Sequence, residues 1–170
     1  MDKQKIINTV VKILMDNEFK RQKIHVQKFI SFLSYRVKGI PFHFEIYKYG
    51  PFSSELSDEL NSMVLWGDIL YEDKQYEYIP NTRVLDNNEY KECEKEIKQY
   101  ADIIHDLSFD NMEIYGTLFY LLNNTNITDE KEILKLFHEE KQNKYKDEQL
   151  VKPLKKLIDR YFAKQEKNEL

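Results

Sequence analysis

Residues 47–60 read YKYGPFSSELSDEL: an extended aromatic segment, a Gly-Pro break and a capped helix. Gly50 tolerates backbone angles closed to other residues, while Pro51 fixes its own φ and disfavours helix at Gly50. Chain direction must change there, so Tyr49, Gly50 and Pro51 are expected to form a structural turn. Ser53 or Ser54 is the natural N-cap of the next helix, and Glu55, Asp58 and Glu59 put negative charge in its first turns, where the helix dipole favours it. The apolar positions Leu56, Leu60, Met63 and Val64 fall at helical spacing, and Gly67 before Asp68 stops the run. The pattern predicts a helix over 54–66 with one buried stripe.

Two helices precede this element. Residues 3–16 place Ile6, Val10, Ile13 and Leu14 on one side with Lys3, Lys5, Lys12 and Asp16 opposite; residues 23–37 repeat the pattern with Val26, Phe29, Ile30, Leu33 and Val37. Phe42 to Tyr47 alternates in the period of a short strand. After Gly67, the string DILYEDKQYEYIP predicts a hairpin, Asp68–Glu72 paired with Gln75–Ile79 around a polar turn at Asp73 and Lys74. Helices and then a small hairpin make a winged helix-turn-helix plan. Past a linker at Pro80-Asn81-Thr82 the pattern is all helix, over about 87–107, 111–123, a short segment capped by Asp129, and about 147–164, with residues 164–170 expected to fray. The reading is mainly α with a small β-hairpin: a winged-helix-like domain over 1–81 and a C-terminal helical subdomain over 82–170 packed on it.

The 170 residues carry 26 Lys+Arg against 30 Asp+Glu, a net charge of -4, distributed unevenly: about +6 over 1–50, -7 over 51–100 and -3 over 101–170. A polarised surface favours an oppositely charged partner or self-association, although solvated helix faces of differing sign give the same count. No apolar run of about 18 residues offers a membrane span, and the N-terminus alternates charged and apolar groups unlike a signal peptide. One cysteine forms no intrachain disulfide, which leaves a cytoplasmic location as the expectation.

The run from Lys23 to Gly39, KIHVQKFISFLSYRVKG, together with FEIYKYGPFSSELSDELNSMVLWGDI from Phe44 to Ile69, resembles the bacterial and archaeal YwgA-like proteins. More distantly it is similar to the Panacea or SocA-like antitoxin domain. In both groups a helix with a K-x-x-K-h-h-[FY] flavour precedes a KYGP turn, and a Leu-rich helix ends in Gly before Ile. The matching positions are Lys28, Phe29, Lys48, Tyr49, Gly50, Pro51, Ser53, Leu56, Leu60, Gly67 and Ile69, and FSSEL after the turn has the YwgA-like form. The resemblance covers about the first half of the chain. It implies a mostly helical domain with an embedded winged helix, no established catalytic residues, and, through the Panacea members, an antitoxin that binds a toxin.

Catalytic and metal chemistry find no support in spacing. His25, His43, His105 and His138 are scattered singly, no CxxC or HxxxH exists, and Cys93 lies in an apolar helical stripe as a small core residue. No enzyme activity, cofactor or metal is expected. A DNA-binding winged-helix regulator is the alternative reading, but the third helix holds Glu55, Asp58 and Glu59, no Lys or Arg, and one good base reader, Asn61, so a duplex should bind weakly. A basic face of Lys3, Lys5, Lys12, Lys20, Arg21, Lys23, Lys28, Arg36 and Lys38 on the first two helices reads either as a non-specific backbone contact or as solvated surface. The leading expectation is a non-catalytic protein-binding module, an antitoxin or regulatory partner, whose surface is Glu55, Asp58 and Glu59 with Tyr71, Tyr76 and Tyr78. Acidic residues around rings suit a basic protein partner.

Overall fold

A computed structural model describes residues 1–127 and 129–163; the residues expected to fray, 164–170, lie outside it. The described chain is mainly helical, with two small antiparallel hairpins. The order is α1 (Lys3–Asp16), α2 (Lys23–Arg36), β1 (Glu45–Tyr47), β2 (Gly50–Phe52), α3 (Ser54–Trp66), β3 (Ile69–Glu72), β4 (Glu77–Pro80), α4 (Asn87–Ile104), α5 (Phe109–Asn124), α6 (Glu130–Lys141) and α7 (Asp147–Leu157), continued by a π-helical turn, Ile158–Phe162.

Capping side chains set most helix starts. Asp2, Ser53, Asp86, Ser108 and Asp129 each accept a backbone N–H from the first turn of α1, α3, α4, α5 and α6, where four donors lack intrahelical partners. Ser53 is therefore the cap of α3, and Gly67 ends that helix at φ +77°, in the left-handed region open to glycine. Of the apolar positions assigned to α3, Leu56, Leu60 and Met63 are buried, whereas Val64 is exposed. The predicted helix over 87–107 stops at Ile104 because His105 leaves helical angles at φ +67°. The last predicted helix keeps α geometry only to Leu157 before the π turn, with Pro153 inside it lacking the N–H that a helix interior requires.

The Gly-Pro break differs in kind from the simple redirection read from sequence. It is the tip of a hairpin: Glu45 pairs with Phe52, Ile46 with Pro51 and Tyr47 with Gly50, leaving Lys48 and Tyr49 as a two-residue loop. Gly50 takes the positive φ, +97°, so neither loop residue has to. The second hairpin pairs Ile69 with Pro80 through Glu72 with Glu77 around a four-residue turn, two residues longer than the one read at Asp73 and Lys74.

One contiguous core draws residues from both halves of the chain. Phe32 of α2 stacks on Tyr100 of α4 at 4.0 Å between centroids, meets Phe119 of α5 at 5.0 Å, and meets Tyr161 of the π turn edge-on at 5.6 Å. Cys93 is buried in that core. The segment read as a linker is fastened to α1: Asn81 N–H donates to Asn8 Oδ1, Asn8 donates to Thr82, and Leu85 N–H donates to buried Thr9 Oγ1.

The turn is docked as well as folded, which separates two glycines that share left-handed geometry. A Cβ at Gly50 would lie 2.7 Å from Thr117 Oγ1 of α5, while one at Gly67 would meet nothing within 4 Å. Gly67→Ala should cost about 1 kcal/mol, from backbone strain alone, and Gly50→Ala about 3 kcal/mol or more, because strain and overlap add. Urea unfolding of both variants checks this; equal losses would mean that the turn does not rest on α5.

Candidate functional site

The KYGP hairpin sits where α2, α5 and α6 converge, and a buried polar network holds it. Glu113 on α5 is 0% exposed, and its carboxylate accepts from Lys141 Nζ at 2.8 Å, Lys144 Nζ at 2.7 Å and the Tyr145 hydroxyl at 2.6 Å. Lys141, at the end of α6, also donates to the carbonyls of Lys48 at 2.9 Å and Tyr47 at 3.4 Å. Its ammonium therefore has one partner for each of three protons. Lys144 and Tyr145 reach the same carboxylate because Gln142 and Asn143 both take positive φ and reverse the chain after α6.

On the other side of the hairpin, α2 supplies two clamps. Lys28 Nζ donates to Pro51 O at 2.8 Å, and Gln27 pairs through its side-chain amide with both backbone groups of Ser53, at 2.9 and 3.0 Å. Gly116 on α5 leaves room for this: a Cβ there would meet Lys28 Cδ at 3.2 Å. Lys28 is buried, so its assignment to an exposed basic face is corrected. Burial first, and then the Lys141 charge, lowers its ammonium to about 7 against the opposing pull of Glu113. For Glu113, burial pushes the carboxyl up, but the hydrogen bonds from Lys141, Lys144 and Tyr145 outweigh it and hold the group below its ordinary 4.5. Burial likewise lowers Lys141, partly offset by its bond to Glu113.

Beside the hairpin opens a cleft of about 360 Å³, walled by Tyr47, Tyr49, Phe52 and Phe109 and bounded by Lys23, Lys28 and Lys48. The ring of Tyr49, a residue expected to pin the turn, packs edge-on against Phe109 at 4.9 Å and remains half exposed.

The residues expected to contact a partner occupy a different surface. Glu55 is paired with Lys3, and Glu59 accepts a hydrogen bond from Gln4, so α1 partly covers the acidic face of α3; Asp58 has no cation partner among the described residues. Tyr71 and Tyr76 are exposed. Tyr78, expected with them, is 5% exposed and belongs to the core, although its ring meets that of its exposed cross-strand neighbour Tyr71 at 5.1 Å, so it is withdrawn from the contact surface. Sequence reading passed over the exposed apolar residues nearby, Leu65, Trp66 and Leu70. It also passed over the Glu113 network, although a carboxylate within the apolar run 112–122 was a signal.

His25 is buried and neutral, lowered chiefly by burial, with Nδ1 accepting from Gln22 N–H and Nε2 donating to Leu107 O at 2.8 Å. Among the described residues no group of three or more His, Cys, Asp or Glu could hold a metal ion, and no helix is long and apolar enough to cross a membrane. In comparisons with known proteins, the chain matches no family model, no curated protein and no solved structure.

The network makes stability depend on pH in two ways. The folded pKa of Lys28, about 7, lies below its ordinary 10.5, so the folded chain binds fewer protons between those values and stability rises with pH across that window. Lys141 acts in the same direction, and Lys28→Met should reduce the rise without abolishing it. For Glu113 the folded pKa is depressed, so its contribution is complete above the ordinary carboxylate value and is lost as pH falls through the folded one. Glu113→Gln should cost about 3–5 kcal/mol at neutral pH, since it leaves Lys141 buried without a counter-charge, and should flatten the acid limb. Denaturant melts between about pH 3 and pH 9.5 measure both slopes. An unchanged acid limb in Glu113→Gln would reject the assignment.

Proposed function

We propose that this chain is a non-catalytic protein-binding module, and that its partner surface is the last turn of α3 together with the hairpin β3–β4. The observation that carries this reading is the exposure of large apolar side chains there: Leu65 is 79% and Trp66 is 76% exposed, and Leu70, Tyr71 and Tyr76 continue the exposed set on the hairpin. Large exposed apolar and aromatic side chains gathered on two successive elements cost solubility unless a partner covers them, and Trp and Tyr supply much of the affinity at interfaces. Asp58 and Glu59 earlier on α3, and Glu72 and Asp73 on the hairpin, make these two elements acidic, which suits a basic protein and would accelerate encounter.

The packing of α1 against α2 and α3, with an antiparallel hairpin after them, supports a winged helix-turn-helix plan with β3–β4 as the wing. Membership of the YwgA-like group, and a role as antitoxin or regulatory partner in a toxin-neutralising system of the cytoplasm, is supported by the meeting of Lys28, Gly50, Pro51 and Ser53 at one docked turn. These are motif positions of that resemblance. The DNA-binding alternative has less behind it: α3 carries no Lys or Arg, and Asp58 and Glu59 would repel phosphate.

The test is affinity capture from the native host, then titration of the recovered partner. Trp66→Ala should weaken binding by about 2 kcal/mol or more, and a paired Asp58→Lys, Glu59→Lys variant should mainly slow association. If both variants, shown to be folded by circular dichroism, bind the partner as the parent does, this surface is not the interface.

A further inference from the structure

The cleft beside the KYGP turn lies apart from the proposed partner surface and has chemistry of the opposite sign. Two edge-to-face aromatic pairs form its walls, Tyr47 with Phe52 at 5.3 Å and Tyr49 with Phe109 at 4.9 Å between centroids. Tyr47, Tyr49 and Phe109 remain 41–49% exposed, so part of each ring stays open to a ligand. Lys23 Nζ stands 5.9 Å from the Phe52 ring centre, and Lys48 Nζ 5.3 Å from that of Tyr49. A third ammonium, of Lys144, lies 5.4 Å from the same Tyr49 ring.

Charge in this region is not balanced. No carboxylate lines the cleft, and among the described residues neither Lys23 nor Lys48 has an acidic partner within 4 Å. Glu113 is engaged by Lys141, Lys144 and Tyr145, and Glu140 borders not the cleft but the adjoining hollow that Lys48, Tyr49 and Lys144 share. Two helices begin at the rim, α2 at Lys23 and α5 at Phe109, and their N-terminal dipoles add to the positive field. At the inner side, buried Lys28 uses one donor on Pro51 O, leaving two N–H groups without a protein acceptor among the described residues. Open ring surface bordered by the unpaired ammonium groups of Lys23 and Lys48 is complementary to an anion with a flat apolar body.

We propose that this cleft is a binding site for a small aromatic carboxylate, its ring lying between the two aromatic pairs and its carboxylate directed to the ammonium groups of Lys48 and Lys23. The volume, about 360 Å³, is at the lower end of small-ligand sites and fits one or two fused rings. Burial, and then the Lys141 charge, lowers Lys28 to about 7, so an anion in the cleft would also favour the protonated form of that amine.

The experiment titrates the purified full chain with 2-naphthoate and, in parallel, with the neutral 2-naphthamide, by calorimetry and by amide chemical-shift mapping in NMR. The carboxylate should bind about tenfold more tightly than the amide, with shifts centred on 47–52 and on Phe109. Lys48→Gln, at an exposed position whose side chain does not hold the turn, should weaken the carboxylate about fivefold and leave the amide unchanged, and Lys48→Arg should restore most of the loss. Phe109→Ala should weaken both ligands. Equal affinity for acid and amide, shifts mapping away from the turn, insensitivity to Lys48→Gln, or no saturable binding up to about 5 mM would each overturn the proposal.

Discussion

The carboxylate of Glu113 is the interaction on which the rest of the molecule depends. Placing a charge where no solvent reaches costs several kcal/mol unless hydrogen bonds replace its hydration, and here two ammonium groups and a phenol do so. The same arrangement fixes relative positions. Lys141 ties the end of α6 to the tip of the first hairpin, Lys144 and Tyr145 tie the connection to α7 back onto α5, and the bonds from Lys141 to the loop carbonyls satisfy backbone groups that a two-residue turn cannot satisfy itself. An apolar cluster of equal volume would contribute burial without this directionality.

Around that centre α2 acts as a strut with two working sides. One carries Phe29 and Phe32 into the aromatic core shared with Tyr100, Phe119 and Tyr161. The other holds the hairpin through the amide of Gln27 and the ammonium of Lys28. The start of α3 inherits its position from the second set, because Ser53 is both the residue clamped by Gln27 and the cap of α3. The orientation of α3, and with it the exposed Leu65 and Trp66 at its far end, thus traces back to polar contacts on α2.

The two surfaces with unmet demands differ in sign and in origin. The end of α3 exposes Leu65 and Trp66, and the acidic first turns of that helix are partly neutralised by Lys3. At the KYGP turn rings stand amid lysines, and no carboxylate among the described residues lines the cleft between them. The net charge of -4 conceals both. Segment counts separate the acidic region, but they cannot locate the cationic one, whose lysines come from residues 23 to 144.

By itself the sequence determined most of what neighbours along the chain govern. A cap at Ser53 or Ser54, another at Asp129, the stop at Gly67, the apolar spacing of α1 to α3 and the alternation before Tyr47 are local, and they were legible because backbone sterics and helical period act over a few residues. The existence of β3–β4 was legible for the same reason, its turn length less so, since Tyr76 adopts a positive φ that its residue type does not announce. Tertiary structure alone decided that the Gly-Pro break is a hairpin docked on α5, that Lys28 is buried rather than part of an exposed basic face, that Tyr78 points inward, and that Glu113 meets Lys141. Each of these turns on which distant group supplies a partner. A lysine, a tyrosine or a glutamate has the same local propensities whether solvent or a buried counter-charge completes it, and only the folded chain chooses between them.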